Sequence, residues 1–521
     1  MATVAAAPRP AAGADRAAGV EPNVLMLTVT VMMGLIMAII DSSIVNVALN
    51  DMAGNLGASI DEIAWVATGY ILANVIVMPL NGWLTATFGR RNFYAASIAI
   101  FTIASFFCGT SRSLTEIVIW RVVQGIGGGA LQPTAQAILF ESYPPAKRPQ
   151  AMAIFGLGAM VGPAIGPTLG GYIVQDYSWP LIFFINLPIG IAAFFMTLRY
   201  VHDPAYITRS KRGMDWIGLA AMTLGIGGLQ YVLQRGQQED WFSSSTIVIW
   251  TIVSVVGIGF FIIRELRDAH PFVDLRVFRW RSFAAGNFIG VVSGFGLFGL
   301  NLILPLFFQN VLNMGPWDAG LALLPGAIAT AVSMVIAPRL IKIVGSRASI
   351  ITGMLIFAAG AWWMGGLDQF AGYWNIFWPR VMQGLALGFL FVPLTTVTLA
   401  EIPNSEMAGA TGIFTLVRQL GGGLGIAALE LLIQRREDFD QQLLAANVSL
   451  HNPAVAQFLN TATSKAAALA YLGQQVTINA TTLAYDYAFR ICGIVFVLSI
   501  PMVLLLRRPK GDPAHAPVHA E

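Results

Sequence analysis

Asp41 lies well inside the first long apolar block of the sequence, which extends from about residue 24 to residue 49. An ionisable group within a membrane is costly unless it faces a cavity or a partner, so function is the first hypothesis for it. Carboxylates that are screened from water exchange protons closer to neutral pH than exposed ones do. Asp41 is therefore a candidate proton carrier, and the alternative is a paired or capped aspartate near a helix end.

Arg121 lies within the fourth apolar block, at about residues 114–139. Because an α-helix turns by about 100° per residue, several polar and small residues share the side of Arg121: Gln124, Gly125, Gly128, Gln132 and Gln136. A polar stripe in a bilayer must face other helices or a water-filled path. We expect the three glutamines, together with Asn46, to line a substrate path; hydrogen bonds that only hold helices together are the alternative.

The fifth block, at about residues 150–174, carries glycines at intervals of four: Gly158, Gly162, Gly166 and Gly170. Pro163 and Pro167 follow the middle two, and Gly171 follows the last. Glycines at this spacing form a smooth groove for close helix approach, and prolines bend a helix. The pattern favours an interface that moves between two halves of the protein, with static packing as the alternative.

Three further arginines lie inside apolar blocks: Arg380, Arg418 and Arg490. Arg380 and Arg490 are nearer the ends of their blocks, from which a long side chain can extend to the membrane surface. The sequence contains no Gly-Lys-Ser/Thr element, its five histidines are scattered, and no nucleophile–base pair stands out. We therefore expect no metal site, no P-loop ATPase and no enzyme, and the net charge of +3 gives no reason to expect a nucleic-acid partner.

The apolar blocks predict the fold class. Of the 521 residues 56% are hydrophobic and only 11% are charged, which is about half the charged fraction of soluble domains. About 20 apolar residues suffice for a membrane-spanning helix, so we predict an all-α polytopic membrane protein. Fourteen such blocks occur, at about 24–49, 62–84, 92–110, 114–139, 150–174, 180–200, 215–234, 245–264, 283–311, 317–341, 348–367, 373–400, 408–433 and 484–506.

Basic residues between the blocks predict the orientation, because Lys and Arg resist translocation. About 21 of the 30 basic residues fall in the tails and in alternate loops that would share one side, and about five fall in the opposite loops. Both termini should therefore be cytoplasmic, with tails at 1–23 (disordered) and 509–521. The polar stretch 435–483 should lie outside, where Asn452-Pro453 would divide it into two short amphipathic helices.

Two segments of the sequence are similar to each other. WRVVQG at 120–125, in the fourth block, matches WPRVMQG at 378–384, in the twelfth, and each precedes a glycine-containing run and a Pro-Thr element. Duplicated halves are typical of secondary transporters. Chance similarity between two apolar segments is the alternative.

Four segments together resemble the major facilitator superfamily, and within it the fourteen-span drug:proton antiporters of the EmrB/QacA type: 41–49, 82–91, 121–125 and 162–171. The resemblance covers about residues 24–508. It implies two six-helix bundles, 24–200 and 283–508, with two extra spans in 201–282. Ala86 stands where the superfamily loop usually has an aspartate, which puts the charge-paired latch of that loop in doubt. Conformational roles are implied for Gly82, Gly89, Arg90, Arg91, Gly162, Pro163, Gly166, Pro167, Gly170 and Gly171.

The resemblance also implies a function, which is proton-coupled export of lipophilic or cationic drugs or weak acids across the inner membrane. Asp41 would carry the proton, Arg121 would control its binding, and the proton would be the coupling ion, with no other cofactor. EmrB-type members work with a periplasmic adaptor and an outer-membrane channel, which the long outer stretch implies here as well. A transporter of one specific metabolite is the main alternative, and a membrane-embedded enzyme or sensor is a more distant one.

The predicted orientation can be tested with introduced cysteines. Cysteines at Gln442 and Gln475 should react with a membrane-impermeant thiol reagent added to intact cells, whereas cysteines at Pro145 and Asp274 should be protected. Labelling of all four after the membrane is permeabilised is the control. Labelling of the second pair from outside would contradict the fourteen-span topology.

Overall fold

The computed structural model describes residues 23–204, 213–268, 271–449, 451–461 and 464–507, so the predicted tails fall outside it apart from Asn23. These residues form fourteen long helices joined mostly by short connections. The helices are α1 (Val24–Leu56), α2 (Ile60–Phe88), α3 (Arg90–Thr110), α4 (Leu114–Ser142), α5 (Arg148–Asp176), α6 (Leu181–Tyr200), α7 (Trp216–Arg235), α8 (Ser245–Arg267), α9 (Arg281–Asn310), α10 (Pro316–Val344), α11 (Ser346–Met364), α12 (Tyr373–Ala400), α13 (Met407–Ala446) and α14 (Lys465–Val503).

Thirteen of these helices have the length and hydropathy of a membrane span on their own. The exception is α4, in which Arg121, glutamines and glycines lower the mean hydropathy. Because α4 packs against α1, α2 and α3, its polar residues face other helices, where a membrane protein tolerates them. The predicted all-α membrane fold is confirmed, and the thirteen candidate spans together with α4 are consistent with the predicted fourteen.

The helices form two bundles of six with the same internal packing. In the first bundle, α1 packs against α4, α5 and α6; α3 packs against α4 and α6; and α2 packs against α4. In the second bundle, α9 packs against α12, α13 and α14; α11 packs against α12 and α14; and α10 packs against α12. The similar segments 120–125 and 378–384 lie in α4 and α12, which occupy equivalent positions. The sequence similarity thus coincides with a structural repeat.

The two extra helices pack on the outside of this pair of bundles. α7 contacts α2 of the first bundle and α13 of the second, whereas α8 packs mainly on α7. Gly225 of α7 and Gly257 of α8 bring the two backbones together, since a Cβ on Gly257 would lie 2.9 Å from the Gly225 Cα. Arg264 of α8 donates two hydrogen bonds to the Asp215 carboxylate, at 2.5 and 2.8 Å, just before α7 begins.

The first and last described residues, Asn23 and Arg507, lie on the same side of the molecule, which we call the terminal face. Thr28, near the start of α1, is hydrogen-bonded to Tyr143, which follows α4. The Arg507 backbone N–H, just after α14, donates to Ser282 Oγ at the start of α9. The other side is called the opposite face, and the sequence predicts that it is external.

The predicted outer stretch 435–483 differs from its expected form. Instead of two separate short helices, α13 continues to Ala446 and α14 begins at Lys465, and one short helix, Pro453–Thr461, lies between them. The two extensions support each other across the gap: Thr481 Oγ1 donates to Glu437 Oε1 at 2.6 Å, and Gln441 lies beside Thr477. Paired helices bury surface that a lone amphipathic helix leaves exposed, which favours continuation of the spans.

The glycine-rich side of α5 packs against α1, within the first bundle. Cβ atoms on Gly162, Gly166 and Gly170 would lie 2.2–2.7 Å from atoms of residues 39–44. The expectation of a moving interface between halves is therefore wrong for this side of α5. Gly156, which lies earlier on α5, faces the second bundle instead, close to Met334 and Phe391. The side chain of Pro163 lies outside the described structure.

This packing predicts a position-specific effect of added side chains. Gly162→Val should destabilise the protein by about 1–3 kcal/mol, because the new Cβ would meet the Ile39 carbonyl oxygen at 2.7 Å and backbone yields little. Gly171→Val is the matched control on the same helix, since its nearest neighbour, Val47 Cγ1, is 4.0 Å away. Thermal unfolding of both variants in detergent would show the difference; equal melting temperatures would contradict the close α1–α5 contact.

Candidate functional site

Asp41 and Arg121 form an ion pair in the interior of the first bundle. The Arg121 guanidinium donates to Asp41 Oδ2 at 2.6 Å, and the two side chains are 0% and 1% exposed. Asp41 comes from the middle of α1 and Arg121 from the second turn of α4. The sequence predicts these two residues as a proton-coupling pair, and the structure brings them into direct contact.

The second oxygen of the Asp41 carboxylate is also fully engaged. Oδ1 accepts hydrogen bonds from Gln124 Nε2 at 2.9 Å and from Asn186 Nδ2 at 2.8 Å. Asn186, near the start of α6, also donates to Ser105 of α3. The sequence analysis missed Asn186 and Ser105, although a single amide within an apolar block was the available signal for Asn186.

Arg121 is held by further contacts that only a guanidinium provides. Its Nε donates to the Val66 carbonyl oxygen of α2 at 3.0 Å, and its Cζ lies 4.2 Å from the centre of the Tyr70 ring. Its Nη1 also donates to Gln124 Oε1 at 2.8 Å. The buried network therefore joins five helices of the first bundle, α1, α2, α3, α4 and α6, around one carboxylate.

A cavity of about 1710 Å³ lies between the two bundles, beside this network. Its walls come from both bundles and from α7, and it reaches the opposite face, where Gln175, Arg235 and Gln309 line it. Asn46 and Gln132 line the cavity as predicted for a substrate path. The structure thus shows a large cavity between the bundles that extends to the opposite face.

Two of the predicted substrate-path residues do not line this cavity. Gln124 lies behind the wall, in the network with Asp41. Gln136 is fully buried at the contact between the bundles, where Thr415 of α13 donates to its Oε1 at 3.4 Å. The spacing of the polar residues correctly predicts that they share one side of α4. It does not predict how far each lies from the cavity, or which helix packs against it.

The bundles touch on the terminal side of the cavity and close it there. Asn81 Nδ2 of α2 donates to the Ala408 carbonyl oxygen of α13 at 2.8 Å, and Asn81 Oδ1 accepts from Thr134 of α4 at 2.6 Å. A Cβ on Gly82 would lie 2.9 Å from Gly409 Cα, so the α2 and α13 backbones are in contact.

Near the loop between α2 and α3, Ala86 stands in place of the usual aspartate, and other charged residues hold the loop in position. Arg90 is buried and pairs with Glu141 at the end of α4, with Nη1 and Oε2 2.9 Å apart. The Arg91 backbone N–H donates to Asp203 Oδ1 at 2.9 Å, and Gly89 (φ +80°) leaves room for this carboxylate. Asn81 and Gly82, near the end of α2 before this loop, contact the second bundle.

The three remaining intramembrane arginines have different surroundings. Arg490 is exposed and donates to the Gly365 carbonyl oxygen at 2.7 Å, near the end of α11, as expected of a side chain near a membrane surface. Arg418 is buried against the rings of Phe391 and Phe414. Arg380 lines the cavity, so the expectation that it extends to the surface is not met. Among the described residues, no group of three or more His, Cys, Asp or Glu could hold a metal ion.

Comparison with known proteins agrees with this architecture. Residues 31–426 match the family model of the Major Facilitator Superfamily. The chain is 34% identical over 498 residues to the multidrug export protein EmrB of Escherichia coli K12, covering 94% of this chain and 96% of that protein. It is 33% identical to the fatty acid resistance protein FarB of Neisseria gonorrhoeae (93% and 96%) and 28% identical to the colistin resistance protein EmrB of Acinetobacter baumannii (92% and 95%).

Solved structures show the same fold at low sequence identity. The human organic anion transporter MFSD10 superposes with a TM-score of 0.60 at 12% identity, over 93% of this chain and all of that one. The proton:xylose symporter XylE superposes with a TM-score of 0.59 at 14% identity, over 92% and 94% of the two chains. The matched family, the two six-helix bundles and the cavity between them agree: this chain is a multi-pass inner-membrane transporter that belongs to the major facilitator superfamily.

Proposed function

We propose that this protein exports lipophilic toxic compounds in exchange for protons, with Asp41 as the proton-binding group. The observation that carries the proposal is the buried Asp41–Arg121 pair beside a cavity between the bundles. Relatives that cover nearly the whole chain are named for multidrug export, fatty acid resistance and colistin resistance. These names have lipophilic or amphipathic compounds in common, which suits the apolar walls of the cavity.

Proton binding at Asp41 would change the forces within the first bundle. A protonated carboxyl no longer attracts Arg121, which would leave a buried guanidinium without its counter-charge. Because Asp41 lies on α1 and Arg121 on α4, the loss of attraction acts between two helices that both line the cavity. Protonation would thus favour a rearrangement of these helices, and proton release would restore the pair.

The route of the proton follows from the state of the cavity. Tyr70, Ala38 and Ser42 line the cavity next to the network, and the cavity extends to the opposite face. If that face is external, as the basic residues predict, then a proton from outside needs to pass one layer of side chains to reach Asp41. Release to the other side requires the Asn81–Ala408 contact to open.

We also propose that the extended ends of α13 and α14 bind a periplasmic adaptor protein, which in turn would connect to an outer-membrane channel. The extensions and the helix Pro453–Thr461 are more structure than a link between adjacent spans requires. Large apolar side chains are exposed on them, including Phe439, Leu443, Leu469 and Tyr471. Exposed apolar groups rimmed by polar residues are typical of a protein-binding surface. Shielding of the outer mouth is the simpler alternative.

Substitution of the carboxylate tests the coupling. Asp41→Asn keeps the size of the side chain and removes the titratable group, so substrate-induced proton flux in proteoliposomes should fall to the background of empty liposomes. Substrate binding should persist, because Asp41 does not line the cavity. Asp51→Asn is the matched control, since Asp51 is an exposed carboxylate on the same helix. Undiminished proton flux in Asp41→Asn would show that another group carries the proton.

Removal of the extension tests the adaptor. Gln441 and Thr477 face each other, so a short Gly-Ser linker in place of 442–476 shortens both helices at the same level. Under the docking proposal, transport in proteoliposomes remains at the wild-type rate while drug resistance of whole cells is lost. Retention of resistance would remove the adaptor from the proposal, and loss of transport in both assays would assign the extension a structural role.

A further inference from the structure

Arg380 presents a positive charge to the cavity. It lies in the second turn of α12, is half-buried, and lines the cavity together with Gln383, Gly384 and Leu387 of the same helix. Gly326 of α10 provides the space for its guanidinium, since a Cβ there would lie 2.8 Å from Arg380 Nη2. The side chain is thus seated against α10 rather than extended towards the membrane surface.

This arginine has no counter-charge in the part of the chain that the structure describes. Its one side-chain hydrogen bond goes from Nη1 to Gln383 Oε1, at 2.9 Å. Arg380 Nε and Gln383 Nε2 are buried donors without an acceptor, and Gln383 is only 1% exposed. Buried polar groups in proteins are nearly always hydrogen-bonded, so the unpaired guanidinium Nε and the unpaired amide of Gln383 indicate an acceptor that the described chain does not supply. Both residues line the cavity, from which such an acceptor could bind.

The structural repeat shows what kind of acceptor is missing. Arg121 and Gln124 occupy the same places in α4 as Arg380 and Gln383 do in α12, and both side chains of the first pair donate to the Asp41 carboxylate of α1. The helix equivalent to α1 is α9, and from Arg281 to Asn310 it contains no acidic residue. The second bundle therefore has the two donors and lacks the carboxylate.

We propose that Arg380 and Gln383 bind the carboxylate of an amphipathic anion, and that such anions are substrates of this transporter. The inference rests on the proposed export function and specifies its substrate class. A guanidinium with a neighbouring amide matches the geometry of a carboxylate and provides charge-assisted hydrogen bonds. Leu324, Phe357 and Leu387 on the cavity wall would contact the apolar part of the ligand.

Among the charged residues that line the cavity, Arg380 is the cation that lies inside it, away from the mouth. Arg235 is at the mouth, where it donates to Gln238 and to the Asp61 carbonyl oxygen. Glu430 of α13 is the acidic residue among those that line the cavity, and the described residues show no ion pair between it and Arg380. The Asp41 carboxylate is occupied by three donors inside the first bundle. Arg380 is therefore available to bind a lipophilic anion, and Glu430 is available to bind a lipophilic cation.

Three ligands with the same alkyl chain test the inference: decanoate, decanol and decyltrimethylammonium. Binding to the purified protein in lipid nanodiscs would be measured by calorimetry, without a proton gradient. The wild type should bind decanoate about tenfold more tightly than decanol, the effect of one charge-assisted hydrogen bond. Arg380→Gln should remove this preference without weakening decyltrimethylammonium binding, and Arg380→Lys should retain part of it.

Arg418→Gln is the matched control, because Arg418 is an intramembrane arginine that packs on Phe391 and Phe414 instead of lining the cavity. It should leave the order of the three affinities unchanged. A wild type without preference for decanoate, or an Arg380→Gln variant that keeps it or weakens all three ligands equally, would overturn the inference. Since binding is measured without a gradient, failure of the export proposal would appear separately, as absent proton flux in wild-type proteoliposomes.

Discussion

The buried ion pair between Asp41 and Arg121 is the interaction on which the first bundle depends. Removing two charges from water costs more than their attraction returns unless further hydrogen bonds satisfy both groups. Here Gln124 and Asn186 donate hydrogen bonds to the Asp41 carboxylate, and the Val66 carbonyl oxygen accepts one from the Arg121 guanidinium. Val66 lies on α2, Gln124 on α4 and Asn186 on α6. The ion pair therefore constrains how these helices pack against α1. Under the proposed exchange, a proton bound at Asp41 would therefore change the forces that pack the whole bundle.

The same helices connect this network to the two ends of the cavity. Along α2, Tyr70 touches Arg121, Asn74 lines the cavity and Asn81 holds the contact with the second bundle. Along α4, Arg121 is followed by Gln132 on the cavity wall and then by Thr134, which donates to Asn81. Because α2 and α4 each contact both the network and the closed side of the cavity, a displacement of either helix at the network would also act on the contact between the bundles. The proposed antiport needs that coupling, and the geometry supplies a direct path for it.

The sequence was sufficient for the fold, the family and the ion pair, because apolar block length and charges within lipid leave few alternatives. It was insufficient where the outcome depends on which helix is the neighbour. Gln124 and Gln132 both lie within about 60° of the direction of Arg121 around the α4 axis, yet one contacts Asp41 and the other lines the cavity. The glycines of α5 have the spacing of any close helix contact, and only the assembled bundle shows that their partner is α1. The extensions of α13 and α14 likewise depend on contacts with each other, and these contacts cannot be predicted from either segment alone.

The asymmetry between the bundles has a consequence for energetics. In the first bundle the repeated Arg-x-x-Gln element is neutralised by Asp41, and in the second it remains cationic towards the cavity. With the proton bound in one bundle and an anionic substrate in the other, an exchange of one proton inward for one anion outward moves two positive charge equivalents inward. Each charge gains about 2.3 kcal/mol per 100 mV of membrane potential. In such an exchanger the membrane potential would drive the movement of both charges. Exchange of a proton for a monovalent cation moves no net charge, so the membrane potential would not drive it. The position of Arg380 thus bears on the driving force of transport as well as on the choice of substrate.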